Sequence, residues 1–209
     1  APSERSTLDL FPLANAHKTV IFIHGGYWQW CEKSDFAFIA DDVLAQNMQC
    51  VLLEYDLAPH YKIGQIVSQI RHAFDFIEKQ EWIGKEVLLV GHSAGAHLTA
   101  MMLNHPLIDE AVLLSGIYDL APIQDTHLNV ALNLSEHEID RYSPININEK
   151  YHKPHTIYCG ENELDELKSQ SQIYFQKRQK IDQDFVNFYP LYKINHYNIL
   201  DEYFHNILK

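Results

Sequence analysis

Short, wholly apolar runs alternate along the chain with longer stretches of helical spacing. KTVIFIH (18–24), CVLLEY (50–55), EVLLVG (86–91), EAVLLSG (110–116) and HTIYCG (155–160) read as strands buried on both faces. A strand with one wet face would instead alternate residue by residue. FVNFYPL (185–191) is a sixth such run. Helical stretches fall between them, at about 36–47, 64–80, 94–104, 166–180 and 197–208. In 64–80, Ile66, Ile70, Phe74 and Ile77 recur every three or four residues and form one apolar stripe. TLDLFPL (7–13) alternates and is expected as an antiparallel edge strand. Strand–helix alternation of this kind predicts the α/β class: a doubly wound, mostly parallel sheet with helices on both faces and right-handed crossovers.

One segment breaks the rhythm. Residues 117–150 form a long connection with a weak helix at about 127–141, expected either as a lid or cap over a site or as a surface excursion. No repeat, low-complexity tract or linker divides the chain, so a single domain over 1–209 is expected.

Composition narrows the class further. Hydrophobic residues make up 46% of the 209 positions, which suits a large core, and no apolar run approaches the ~20 residues of a membrane span. The opening APSERSTLDLFP has neither a basic region nor an apolar stretch, so no secretory leader is expected in it, and the chain lacks a starting Met. A net charge of −12 repels phosphate backbones, which argues against nucleic acid as a partner. Cys31, Cys50 and Cys159 are odd in number and far apart, which favours a reducing, cytoplasmic setting over a disulfide framework. The thirteen histidines are scattered, with no HExxH or paired-cysteine spacing, so no metal is expected.

Two motifs carry chemistry. In EVLLVGHSAGAHL (86–98) a strand runs into a helix through G-x-S-x-G, the nucleophile-elbow pattern. The tight turn lifts the Ser93 hydroxyl above the strand ends, and the following helix aims its first N–H groups at the same point. The plainer alternative makes Ser93 a small turn residue. IHGGYWQW (23–30) also follows a strand, and its paired glycines let a backbone N–H face a cavity. Acyl transfer needs two such donors for an oxyanion. Ala94 would supply one, and the Gly25–Gly26–Tyr27 turn the other, with Gly26 its first candidate. Tyr27, Trp28 and Trp30 are candidate linings of an aromatic-friendly pocket, and Tyr27, Trp28 and Tyr118 candidate walls of the substrate site. Trp30 and Tyr118 serve equally well as core or rim.

A hydroxyl needs a base, and the base an orienting acid, in the chain order Ser, acid, His. His196, in INHYNIL after the last strand, stands where the base belongs; His205, His152 and His155 are poorly placed. The acid is sought after HTIYCG, where Glu161, Glu163, Asp165 and Glu166 compete and spacing does not separate Glu163 from Asp165.

HGGYW, GHSAGAHL, LSGIYDLAPI, ENELDELKSQS and NHYNIL together resemble the kynurenine formamidase (arylformamidase) branch of the α/β-hydrolase fold, and SERSTLDLFP resembles the segment that opens these domains. The resemblance covers nearly the whole chain. It implies Ser93 as nucleophile, His196 as base, and Gly26 with Ala94 as oxyanion donors. It places the acid at Glu163, where many members have Asp, and Asp165 stays second. Related chains carry more sequence before the first strand. The implied reaction is cofactor-free, metal-free hydrolysis of a small formamide or ester by an arylformamidase. A general short-chain carboxylesterase and a non-catalytic hydrolase-fold binding protein are the alternatives. The expected partners are the small-molecule substrate and a second copy of the chain in a homodimer, with neither nucleic acid nor membrane.

Overall fold

The computed structural model describes residues 3–209; the first two residues of the domain expected over 1–209 lie outside it. Seven strands form one sheet: β1 (Leu8–Phe11), β2 (Lys18–Ile23), β3 (Gln49–Leu53), β4 (Glu86–His92), β5 (Glu110–Leu114), β6 (His155–Gly160) and β7 (Val186–Leu191). Their order is β1-β3-β2-β4-β5-β6-β7. β1 runs antiparallel at one edge, with Leu8 opposite Leu53, and every other pairing is parallel. The fold is therefore the α/β-hydrolase arrangement, a doubly wound sheet whose ligand sites lie beyond the carboxyl ends of the strands.

The central strands are apolar on both faces because both faces are covered. On one side lie α2 (Ile63–Ile77), α3 (Ala94–Met102) and α6 (Asp165–Ile181). Ile66, Ile70, Phe74 and Ile77 of α2, the stripe visible in the sequence, pack there against Ile21, Val51 and Leu89. On the other side lie α1 (Ile39–Ala45) and the C-terminal segment, whose Ile199, Tyr203 and Phe204 pack on Val20, Leu88 and Val112. Among the described residues, no helix is long and apolar enough to cross a membrane.

Three helical expectations differ in detail. The stretch at 36–47 begins earlier, as a 3-10 turn over Lys33–Phe36, and becomes α-helical only in α1. The helix at 127–141 divides into α4 (Asn129–Leu132) and α5 (Glu136–Tyr142). Asn133 takes a left-handed conformation at φ 48° and ends α4, and Ser135 starts α5 by accepting from the Glu138 N–H. The last helix is α7 (Ile199–Asp201) followed by a π-helical turn over Glu202–Ile207. The wider turn narrows the arc between Tyr203, Phe204 and Leu208, so all three reach the sheet.

The 117–150 segment packs along the α2–α3 side. Leu132 and Leu134 enter the same cluster as Trp28, and the Gln29 amide donates to the Leu128 carbonyl at 3.1 Å. Lys62, the residue that precedes α2, donates to the carbonyls of Leu132 and Asn133, at 3.2 and 3.0 Å.

Candidate active site

Ser93 sits between β4 and α3 at φ 56°, ψ −118°, a region that a side-chain-bearing residue enters only under constraint. Its neighbours impose that conformation. A Cβ added at Gly95 would fall 2.0 Å from the Ile23 carbonyl oxygen, and one at Gly91 would fall 2.3 Å from the Gly95 carbonyl oxygen. Only glycines let α3 lie so close to β2 and β4. The Ser93 N–H donates to the Leu114 carbonyl at 2.9 Å, and its own carbonyl accepts from Ala96 and His97 to start α3.

The HGG turn crosses directly over this serine. A Cβ at Gly25 would stand 3.0 Å from Ser93 Cβ. Gly26 has φ 102°, and a Cβ there would meet the Trp30 carbonyl oxygen at 2.2 Å, so no other residue fits. The Gly26 carbonyl accepts from both Gln29 and Trp30 at 2.9 Å, which closes the turn. A buried polar group underneath holds it in place. Tyr55 Oη donates to the carbonyls of His24 and Gly25 at 2.9 and 3.2 Å, and its ring stacks on His24 at 4.3 Å. His24 Nε2 lies 3.0 Å from Glu54 Oε1, which also accepts from Arg5 at 2.8 Å, and Glu54 Oε2 accepts from the Lys33 N–H at 2.9 Å. Burial opposes the charge on Glu54, but the bond to His24 and the Lys33 N–H hold its carboxyl below the usual range.

Glu163 lies between β6 and α6 with a fully buried side chain, and both of its oxygens face His196 Nδ1, at 3.1 and 3.0 Å. Asp165 opens α6, is fully exposed, and pairs with Lys168 at 2.9 Å. Glu166 accepts from Gln170 at 2.8 Å. The structure therefore brings Glu163, and neither Asp165 nor Glu166, to His196.

The loop carrying His196 is tied at several points. Asn195 Oδ1 accepts from the N–H groups of Tyr197 and Asn198, Asn198 Oδ1 accepts from the Asn195 N–H, and the Asn162 N–H donates to the Ile194 carbonyl. The His196 side chain is 23% exposed. No hydrogen bond joins it to Ser93 in this structure; the two are linked through His92, whose ring lies 4.7 Å from that of His196.

The expected aromatic wall is in part corrected. Trp28 and Tyr118 have no accessible surface. Trp28 is turned inward onto His97, edge to face at 4.8 Å, and Tyr118 stacks flat on Tyr174 at 4.2 Å, so neither faces a substrate. Tyr27 stays half-buried at the site: burial first, then the nearby Glu163 carboxylate and Tyr197, raise its phenol above the ordinary value. Trp30, 51% exposed, meets Tyr27 edge to face at 6.3 Å, and Tyr197, 82% exposed, meets His196 at 5.8 Å. Tyr197 was not singled out in the sequence, although it directly follows the candidate base. Glu54 was also missed; its signal was a carboxylate directly after the apolar run CVLL, before Tyr55. A cavity of about 740 Å³ opens elsewhere, between β1 and α2, and none of Ser93, Glu163 or His196 lines it.

Comparison with known proteins identifies the family and the fold. Residues 20–167 match the family described as the alpha/beta hydrolase fold. The kynurenine formamidases of Salmo salar and Danio rerio are each 31% identical over 196 residues, which is 88% of this chain and 67% of the relative. Among solved structures, a protein of Silicibacter sp. TM1040 superposes with a TM-score of 0.88 at 24% identity, covering 98% of this chain and 78% of its own. A carboxylesterase from a metagenomic library superposes with a TM-score of 0.79 at 17% identity, covering 96% and 78%. By sheet order, strand-end residues and relatives, the chain belongs to the α/β-hydrolase family and is an arylformamidase-like hydrolase.

Proposed function

We propose that the protein hydrolyses the formamide of an N-formylated aromatic amine, of which N-formylkynurenine is the type, through Ser93, His196 and Glu163. The buried Glu163 carboxylate on His196 Nδ1 carries this reading. It fixes the proton on Nδ1 and leaves Nε2 free to act as a base. Nε2 takes the Ser93 proton as Oγ attacks the formyl carbon. The N–H groups of Gly26 and Ala94 bind the oxyanion. His196 then protonates the departing aryl nitrogen, and the formyl group stays on Ser93 as an ester. Water, deprotonated by His196, attacks that ester and releases formate. Tyr27, Trp30 and Tyr197 give the aryl group a rim of rings. The three free cysteines support a reducing compartment, which we take to be the cytoplasm.

The test compares kcat/KM for N-formyl-L-kynurenine with that for a short p-nitrophenyl ester. Preference for the formamide is expected; ester turnover with little formamide activity would make the protein a carboxylesterase using the same residues. Ser93→Ala lowers kcat by about 10⁴ or more on either substrate. Glu163→Ala lowers it far more than Asp165→Ala, and the reverse ranking would move the acid to Asp165.

A further inference from the structure

One buried side chain at the site has no part in that reaction. His92 ends β4, immediately before Ser93, and is 5% exposed. Its Nε2 lies 2.8 Å from the carbonyl oxygen of His196. A carbonyl only accepts, so Nε2 carries the proton and donates. The two imidazoles lie 4.7 Å apart at 44°. On the other side, His92 Nδ1 is buried without a partner, facing the HGG turn, where a Cβ at Gly25 would come within 3.2 Å of it.

The orphaned nitrogen is informative. A buried acceptor without a partner is destabilising, and an apolar ring would fill the same volume without that penalty. The bond on the opposite nitrogen is what an apolar ring would lose. The other ties of the loop fix Asn195, Tyr197, Asn198 and Ile194, and none of them reaches the carbonyl of His196 itself.

We propose that His92 is a positioning residue for the base: it ties the backbone of His196 to the end of the strand that presents Ser93, so that nucleophile and base hold one spacing. The inference rests on the roles proposed above for Ser93 and His196. Charge is consistent with it. Burial first, then the neighbouring His196 and more distantly His24, holds His92 at a pKa of about 3, so its ring is neutral beside the imidazolium that forms on His196 during turnover.

The test uses three replacements in the intact chain. His92→Gln puts an amide N–H near the place of Nε2. His92→Asn is of like polarity but reaches only the place of Nδ1, and His92→Phe fills the volume without a donor. His92→Gln is expected to keep kcat within about fivefold of wild type, while His92→Asn and His92→Phe lose about 10- to 100-fold in kcat with KM within about twofold. The downfield proton resonance of His196 Nδ1–H is kept in His92→Gln and broadened in the other two. Wild-type kcat in His92→Asn would overturn the inference, as would equal loss in His92→Gln and His92→Phe. Failure of all three to fold would assign His92 to the core alone and also overturn it. Should Ser93→Ala retain activity, the reaction mechanism itself falls; should Ser93→Ala be inactive and His92→Asn unimpaired, only the role of His92 does.

Discussion

Holding Ser93 at φ 56° is worth about 1–3 kcal/mol against the fold, and the strain persists because the glycines around it leave α3 and the HGG turn no other seating. Tyr118 contrasts with it. Its ring fills core volume against Tyr174, and its hydroxyl is buried without a hydrogen-bond partner. Tyr118→Phe should therefore leave kcat/KM unchanged and alter stability by no more than about 1 kcal/mol. A fall in kcat/KM of tenfold or more would return Tyr118 to the substrate wall. At this scale the sequence was readable wherever a residue type has one use. Gly26, Gly91 and Gly95 stand where nothing else fits, and Ser93 follows from them. Glu163 and Asp165 lie two residues apart with the same chemistry, so only the start of α6 separates them: it turns Asp165 to solvent and leaves Glu163 under His196. Trp28 followed the glycines as a pocket residue would, but its positive φ of 58° turns the ring into the core. Spacing alone does not encode such a turn.

Elements were legible where apolar period and length agreed, as in β2 to β6 and the α2 stripe; β7 forms where expected, but as an edge strand it buries only Val186 rather than both faces. They were less so where a local cap decided the outcome, as at Asn133, which splits one expected helix into two. The contact between α3 and β2 gives a prediction of this kind. Helix propensity favours alanine over glycine by about 1 kcal/mol in a helix. At Gly95 that gain is opposed by the Ile23 carbonyl, 2.0 Å from where the methyl would sit, and backbone cannot move aside as a side chain can. Gly95→Ala should lower the unfolding free energy by more than about 2 kcal/mol and reduce kcat as well, since α3 carries Ala94. An unchanged denaturation midpoint would show that the two elements are less tightly locked than the geometry states.

For the molecule as a whole, burial of titratable groups sets the acid limit of stability. Unfolded histidine has a pKa of about 6.5. In the folded chain burial holds His97 and His155 at about 4 and His92 at about 3. Between those values and 6.5 the unfolded chain binds more protons, so stability is full above about pH 6.5 and falls as the pH drops. Each of the three removes up to about 1.4 kcal/mol per pH unit, until the loss levels off near its folded value. Urea unfolding at pH 7, 5.5 and 4.5 should show this decline, and His155→Gln should make it shallower by about one proton's worth. A midpoint constant from pH 7 to 5 would mean that these rings are not held neutral.

The order of the strands also has a consequence in time. The HGG turn and Ser93 leave a ribosome early, whereas Glu163 follows β6 and His196 follows β7. A nascent chain halted after Gly160 would hold the elbow and the oxyanion turn, yet its serine would be an ordinary alcohol with neither base nor acid. On the roles proposed here, the hydrolase stays silent until β7 docks against β6 and brings His196 to the serine.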